Sequence, residues 1–587
     1  MDIVFLAGIV VTLATIFPVL LQLKRHPRGL FILFFAEMWE RFSYYGMRGL
    51  LVFYFTQQFL FTDDFAQGEY GAYTSLVYLV PLIGGFVADK WLGTRKAIAF
   101  GALLLVAGHF TMAVEGRPAT QVLHYGNQSY SFVVTGRGEA RDVRLRVGDR
   151  TYQVGAAPGG GMAIRDLPQG GPLPSVLRTG TYQLSVADRD PLFANILYLA
   201  LSLIIMGVGF LKANISSIVG QLYPPGDARR DPGFTLYYYG INLGAFWAAI
   251  ACGWLGTNIG WWAGFGAAGV GMALGYVVFV LGKPLLEGNG EPPVPELLAK
   301  PAFGPISLEW TIYLAAFVGL ALVFALVQHN EIVGYLLAAG SALVLGYLGW
   351  FMVTKCTKPE RERMLLALVL IAASVVFWTL FEQAGTSLNL FTERNSSLEI
   401  LGVKMTAPQV QSFNAGFILI FAPVFSALWA ILGRRKSDPD PVIKFALGLL
   451  QVGASFILLV WSARFADANF RVPLYFLALS YLLQTTGELC LSPVGLSQMT
   501  KLSPAATIST IMATWFLASS WAQWIGGKVA QLTSAETVAG QVLDPAKALA
   551  TYVRVFEMIG YWGAGAGILM LVLSPMLKHW AHGERET

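Results

Sequence analysis

Glu37-Met38-Trp39-Glu40-Arg41-Phe42-Ser43-Tyr44-Tyr45-Gly46-Met47-Arg48 is the stretch on which the reading of this chain turns. It sets two acids, two bases and two tyrosines inside an apolar run, 29–57, long enough to cross a hydrocarbon core of about 30 Å. At about 100° per residue, Glu37, Glu40, Arg41, Tyr44, Tyr45 and Arg48 share an arc of about 140° on one helix face, along about 16 Å of axis. Charges inside a membrane are costly and face a cavity or one another. A packing salt bridge needs one acid and one base. Two of each, aligned with two tyrosines, read as the wall of a polar cavity.

The composition around this stretch agrees. Of 587 residues, 55% are hydrophobic and 13% charged, about half the charge of a soluble domain. That excludes an ordinary soluble enzyme and a disordered chain. Forty Lys+Arg against 35 Asp+Glu leave a net charge of +5, too small and dispersed for a nucleic-acid binder. Cys252, Cys356 and Cys490 lie far apart, without a CxxC or a Cys/His cluster, so neither a disulfide scaffold nor a metal site is expected. The class is an all-α polytopic membrane protein. Apolar runs of spanning length occur at 3–23, 29–57, 69–88, 96–114, 191–221, 234–256, 261–281, 307–327, 331–354, 364–391, 409–433, 442–462, 473–498, 505–531 and 553–577.

Counting all of these as spans brings the basic clusters to one side: Lys24, Arg25 and Arg28; Lys90, Arg95 and Lys96; Arg229 and Arg230; Lys355, Lys358, Arg361 and Arg363; Arg434, Arg435 and Lys436; and Lys578 and Arg585 in the tail. That side is expected to be the cytoplasm, with the C-terminus in it. The first run begins after Asp2 and ends at Leu23-Lys24-Arg25, unlike a cleaved signal, so an uncleaved, lipid-facing helix is expected.

One loop is long, 115–190, with nine arginines. Long loops translocate regardless of charge, so it is placed outside. Val143, Leu145 and Val147 alternate with arginines, Gly148-Asp149 turns the chain, and Tyr152 and Val154 resume the alternation. Gly180-Thr181-Tyr182 before a further alternating stretch resembles the tyrosine corner of immunoglobulin-like folds. A small β-sandwich-like domain, dispensable for function, is expected.

Further charges stand singly in runs, with polar neighbours: Lys212 with Asn214, Glu382 with Gln383, and Glu488 with Ser492. A lone buried charge must be paired or neutralised. Together with Arg48 these allow two pairs across a cavity, suited to a gate whose salt bridges break and re-form. Carboxylates there can also take protons, since burial raises a carboxyl pKa and a nearby cation lowers it. Lys528 lies near a span end, where it can snorkel.

These residues sit in recognisable words. Glu37-Met-Trp-Glu40-Arg41-Phe-Ser-Tyr44-Tyr45 resembles the ExxERFxYY motif of the proton-dependent oligopeptide transporters, a branch of the major facilitator superfamily. Gly85 to Lys96 resembles the superfamily's loop between core helices two and three, and Gly209 to Ser216 the family's fourth-helix motif. Phe234 to Gly244 resembles the fifth-helix signature, departing at Tyr237, where Phe is usual, and at Ala245-Phe246, where Ser-Leu is usual. Trp378 to Gln383, Gly487 to Pro493 and Trp515 to Leu517 resemble parts of helices seven, ten and eleven.

The resemblance covers about 27 to 580. It implies two six-helix bundles, with two inserted helices and one extra N-terminal helix. The expected division is 1–26 extra helix, 27–114 core helices one to three, 115–190 β domain, 191–283 core helices four to six, 284–358 linker and inserted helices, and 359–587 core helices seven to twelve with the tail. It also implies proton-coupled import of di- and tripeptides across the cell (inner) membrane by a functional monomer, driven by the proton gradient without a cofactor. Glu37, Glu40, Arg41 and Glu382 would carry protons. Arg48 and Lys212 suit a peptide carboxylate, and Glu488 with Asn242 and Asn414 suits its ammonium. Tyr44, Tyr45, Tyr78, Trp378 and Trp515 would wall side-chain pockets, beside Gln383 and Ser492. By the same resemblance Arg48 pairs with Glu382, and Lys212 with Glu488.

A carrier of another anion or carboxylated metabolite would have less use for Glu488. A nutrient receptor built on the β domain needs an output domain, and the tail after Lys578 shows none. No HExxH, GxSxG or GxxxxGK[ST] supports an enzyme or ATP drive.

Overall fold

The computed structural model describes residues 3–582 apart from Pro225 and the side chains of Pro493, Val494 and Leu496. Arg585 and Asp2 lie outside the described residues. Each of the fifteen apolar runs is helical. The helices are α1 (Ile3–Leu23), α2 (Arg28–Phe53), α3 (Asp63–Leu79), α4 (Pro81–Val87), α5 (Gly93–Met112), α6 (Pro191–Gln221), α7 (Arg230–Asn258), α8 (Trp261–Leu281), the short α9 (Pro295–Ala299), α10 (Leu308–Val327), α11 (Asn330–Thr354), α12 (Lys358–Phe381), α13 (Ser387–Asn395), α14 (Ala407–Val410), α15 (Ser412–Arg434), α16 (Pro441–Ser462), α17 (Leu474–Lys501), α18 (Ile508–Gln531) and α19 (Pro545–Trp580). Among the described residues ten segments are long and apolar enough by themselves to cross a membrane. Outside that set fall α2, α7, α17 and α18, the helices that carry Arg48, Asn242, Glu488 and Trp515.

Two six-helix bundles form. In the first, α2 packs on α7 and α8, and α5 on α6; in the second, α16 packs on α17 and α19, and α12 on α18. The bundles meet through α3 with α18 and through α7 with α14 and α15. Small residues make the first contact close: a Cβ on Gly71 would stand 2.9 Å from the Gly527 Cα, and the Ser75 hydroxyl donates to the Ser520 carbonyl at 3.0 Å. Further along the same seam, Arg394 holds Asp63 through two bonds of 2.5 and 2.8 Å, both side chains buried. Gln531 donates to the Asp64 carbonyl at 2.9 Å. These bonds lie toward the face that carries the 115–190 insertion.

The additions attach to this frame. α1 exposes Ile3, Leu6, Val10, Leu13 and Phe17, as a lipid-facing helix does. It is held to α7 by Trp247 Nε1 donating to Thr12 Oγ1 at 2.9 Å and by Thr15 bonded to the Tyr239 hydroxyl at 2.7 Å. The inserted helices straddle the bundles. α10 is tied to α5 through Lys96–Glu309 (2.6 Å), and α11 to α18 through Lys528–Glu331 (2.5 Å). Lys528 therefore has an ionic partner rather than simply reaching for water. On the basic face Gly93, with φ +72°, starts α5 where a Cβ would strike the Glu291 backbone at 2.6 Å. Arg95 grips the Glu291 carboxylate there at 2.7 and 2.9 Å and holds it below the usual carboxylate range.

The insertion is one antiparallel sheet of seven strands, not two facing sheets. The strands are β1 (Thr120–Tyr125), β2 (Gln128–Thr135), β3 (Asp142–Val147), β4 (Arg150–Ala156), β5 (Met162–Ile164), β6 (Val176–Leu177) and β7 (Gln183–Ala187), in the order β6-β5-β4-β3-β2-β1-β7. Its apolar face, with Leu123, Phe132, Val143, Leu145 and Ile164, is covered by Val538, Ala539 and Leu543 from the α18–α19 connection. The second layer of the expected sandwich thus comes from the other bundle. Tyr182 does not close a local corner; its hydroxyl reaches Glu536 in that connection at 3.4 Å. The sheet is therefore packed against both bundles.

Replacing Gly71 by Leu should drive a wedge between α3 and α18. Overpacking of this kind costs about 1–3 kcal/mol. The expected results are a lower thermal midpoint in detergent and faster thiol labelling of a cysteine placed at Gln57. Unchanged labelling would show that this glycine contact does not hold the sheet-bearing face closed.

Candidate functional site

Between the bundles lies a cavity of about 160 Å³. Each charged group in its wall owes its position to a local feature of the chain. α12 ends at Phe381 and the chain tightens into a 3₁₀ turn, Glu382–Gly385. Gln383 holds that turn, donating to the carbonyls of Thr379 and Gly526 at 3.0 Å each and accepting from the Ser387 hydroxyl at 2.5 Å. Glu382 is thereby turned to meet the Arg48 guanidinium from α2 in an ion pair across the bundles. Arg48 also donates from Nε to the Tyr70 hydroxyl at 2.6 Å, and its guanidinium stands 5.7 Å from the Tyr45 ring centre. Gly385 leaves the room this junction needs, since a Cβ there would collide with the Tyr70 hydroxyl.

The opposite wall carries a carboxylate in a different situation. Glu488, 8% exposed, accepts from the Tyr238 hydroxyl and from Asn414 Nδ2, each at 3.4 Å. Asn414 is also bonded to Thr485 at 2.9 Å, and Asn242 to the Tyr238 carbonyl at 2.9 Å. Among the described residues no cation lies within ion-pair distance of Glu488. The expected Lys212–Glu488 pair is therefore not formed. Lys212 instead places its ammonium 3.7 Å from the Tyr78 ring centre. A bundle arrangement that is closed at Arg48–Glu382 separates the other two charges.

Glu37, Glu40 and Arg41 form a third group, buried in α2 and outside the cavity wall. Arg41 Nε lies 2.8 Å from Glu37 and 3.1 Å from Glu40, and both acids are 1% exposed. One guanidinium thus faces two carboxylates in a water-poor interior. Glu37 Oε2 and both Glu40 oxygens accept no hydrogen bond. Two ionised carboxylates so placed repel each other, and a single proton on either relieves that repulsion. Tyr237, at the position that departs from the family word, borders the group.

Of the expected binding residues, Tyr45, Arg48, Tyr78, Asn242, Trp378, Asn414 and Glu488 line the cavity, as does Glu382. Tyr44, Lys212, Gln383, Ser492 and Trp515 do not. Tyr44 is buried with its hydroxyl unbonded, Gln383 is the staple of the broken helix, and Trp515 lies against Gly495 of α17. Three polar lining residues had been missed: Tyr238, Gln411 and Tyr481. Tyr238 precedes Asn242 by four residues and Tyr481 precedes Glu488 by seven, helical spacings that were legible. Gln411 Nε2 and the Tyr481 hydroxyl are buried without hydrogen-bond partners. A cavity with an arginine, an uncompensated carboxylate and unmatched amide and hydroxyl groups is equipped for a small zwitterion with backbone polar groups.

Comparison with known proteins agrees on the family. The POT family model matches residues 95–548. The uncharacterized transporter YclF of Bacillus subtilis (strain 168) is 32% identical over 565 residues, covering 94% of each chain. Dipeptide and tripeptide permease A of Edwardsiella piscicida is 28% identical over 565 residues, covering 95% of this chain and 96% of its own. A crystal structure of a mutant of peptide transporter POT in complex with alafosfalin is similar with a TM-score of 0.70 at 32% identity, covering 95% of this chain and 96% of that one.

Arg41→Leu should leave two carboxylates buried without their cation, a change worth about 3–5 kcal/mol. Glu40→Gln keeps the shape, leaves one acid for one base and should disturb stability little. Thermal unfolding of both variants in detergent checks this. A Glu40→Gln protein as damaged as Arg41→Leu would mean that the second carboxylate is itself a structural requirement.

Proposed function

Because the chain belongs to the POT family of transporters, we propose that it imports di- and tripeptides together with protons, by alternating access of one central cavity. The observation that carries the reading is the pair of walls: Arg48 on one side and Glu488, a carboxylate without a cation at ion-pair distance among the described residues, on the other. A zwitterionic peptide presents a carboxylate to Arg48, which can grip it bidentately, and an ammonium to Glu488. Asn414 and Tyr238 hold the Glu488 carboxylate in place, and Asn242 is bonded one helical turn along α7. Gln411 and Tyr481 offer hydrogen bonds to the peptide's backbone, while Tyr45, Tyr78 and Trp378 accommodate its side chains. Recognition of the two ends and the backbone is what tolerates many side chains. A carrier of simple anions would have no use for Glu488.

In this reading the sheet-bearing face is the outside of the cell (inner) membrane and the basic loops lie in the cytoplasm, an orientation supported by the distribution of Lys and Arg. In this arrangement the outer mouth is closed by Arg48–Glu382 and by the α3–α18 seam. A peptide carboxylate competes for Arg48. Protonation of Glu382 releases the arginine, and the bundles part on that side. Lys212 and Glu488 approach when the opposite mouth closes. Glu37, Glu40 and Arg41 form a second proton site. Energy comes from the proton gradient, and the protein works as a monomer.

Uptake of labelled Ala-Ala into liposomes, with and without an inward proton gradient, tests the reading. Accumulation should require the gradient. Glu382→Gln should abolish accumulation against a peptide gradient yet leave exchange between two peptide-filled compartments, which needs no net proton movement. Full gradient-driven accumulation by that variant would move the main proton site to Glu37 or Glu40. Uptake by wild type that ignores the gradient would overturn the symport.

A further inference from the structure

Above the closed mouth lies a second, larger cavity of about 920 Å³. Its floor is made by the outer ends of the membrane helices, including Gln57 after α2, Trp261 of α8 and Glu393 of α13; its roof is the β1–β3 part of the sheet with the β2–β3 turn. Pro408 of α14 lines both this cavity and the central one, so the two sit on opposite sides of one septum.

Its charge is lopsided. Five arginines line it, Arg137, Arg141, Arg146, Arg394 and Arg471, against two acids, Glu139 and Glu393. Arg394 is neutralised by Asp63, and Glu139 is met by Lys404 at 3.5 Å. Arg141 is committed to the carbonyl of Ala539. Arg137, Arg146 and Arg471 are exposed and have no ion pair among the described residues. Two of them come from the sheet and one from the α16–α17 connection, so both bundles contribute. A cleft of one sign with low-dielectric walls focuses its field and raises the local concentration of the opposite charge by a factor of about 10 or more at low salt.

We propose that the sheet and the helix ends build an outer antechamber that receives carboxylate-bearing peptides, with Arg137, Arg146 and Arg471 as its receiving cations. The sheet is then a selectivity element: it favours acidic over basic peptides before the central site is reached. This rests on the reading of the protein as a peptide importer. The antechamber sets capture, so it governs KM and its salt dependence and leaves the turnover step to the central site.

The test uses the full chain in proton-gradient liposomes, with Ala-Glu, Ala-Ala and Ala-Lys as probes and with Arg137→Gln, Arg146→Gln and Arg471→Gln combined in one variant. At low ionic strength the variant's KM should rise for Ala-Glu and fall for Ala-Lys. The Ala-Lys to Ala-Glu KM ratio should drop by roughly tenfold, with maximal rates unchanged and the difference fading in high salt. Equal movement of all three KM values, or an unchanged ratio, overturns the antechamber while leaving peptide import intact. Wild-type liposomes that take up none of the three sink the peptide reading, and the antechamber with it.

Discussion

A charge carried into a hydrocarbon layer must find a partner, a cavity or a proton. The three ways are distributed over three groups in this protein. Arg48 and Glu382 have found each other across the two bundles. Glu488 has a cavity and two hydrogen-bond donors. Glu37 and Glu40 share one arginine, an arrangement a proton completes. Parting the bundles at Arg48 leaves two charges to be satisfied, and bringing Lys212 toward Glu488 satisfies two others. In the proposed cycle, the cost of isolating a charge is what ties substrate, proton and bundle position to one another.

That exchange works only if the bundles can meet closely and part again, and the seam has the composition for it. Gly71 against Gly527 lets backbones touch, as small residues do between membrane helices. The polar bonds along it are few and specific: Ser75 to Ser520, Gln531 to Asp64, and Arg394 to Asp63. Hydrophobic burial is no force between helices in lipid, where the tails are as apolar as leucine. Such a seam is held by contact and hydrogen bonding, both of which are lost within a small displacement.

Much of this was legible in the sequence because a charge in an apolar run is rare enough to be noticed singly. Lys212, Glu382 and Glu488 stand out that way, and Arg48 through the stripe it shares on α2; the structure sets Arg48, Glu382 and Glu488 in the cavity wall, and Lys212 outside it. The errors have a geometric cause. Gln383 is turned away from the cavity by its bonds to the Thr379 and Gly526 carbonyls, and Tyr44 is buried beside Tyr45, so only Glu382 and Tyr45 of these two pairs reach the wall. In each pair the sequence marks both as polar or aromatic, and packing chooses one. Tyr481 and Gln411 escaped because tyrosine and glutamine occur in membrane helices for many reasons. The sheet shows the same limit. Alternation along β3 announces one apolar face, but only the fold reveals that Val538 and Leu543, from far along the chain, cover it.

The two attachments of the sheet are unequal, and this bears on the cycle proposed above. Its ends run covalently into α5 and α6 of the first bundle, while Val538, Ala539 and Leu543 hold it to the second by burial, helped by hydrogen bonds of Arg141 to the Ala539 carbonyl, of the Ala539 amide to Gln121 and of Tyr182 to Glu536. When the bundles part on the outer side, the covalent ends stay. Either the 536–543 connection follows the sheet away from its own bundle, or the apolar contact opens. The connection is tied both ways, to α3 of the first bundle by Asp63 on the Ala535 amide at 3.0 Å and to its own bundle by Asp544 capping α19, so parting must break either that tie or the apolar contact. Exposing a buried valine or leucine costs about 2 kcal/mol, comparable with the few kcal/mol that separate conformations of a working protein. In the proposed cycle a sheet so attached favours the arrangement that is closed on the sheet-bearing side, and parting the bundles there must break its contacts.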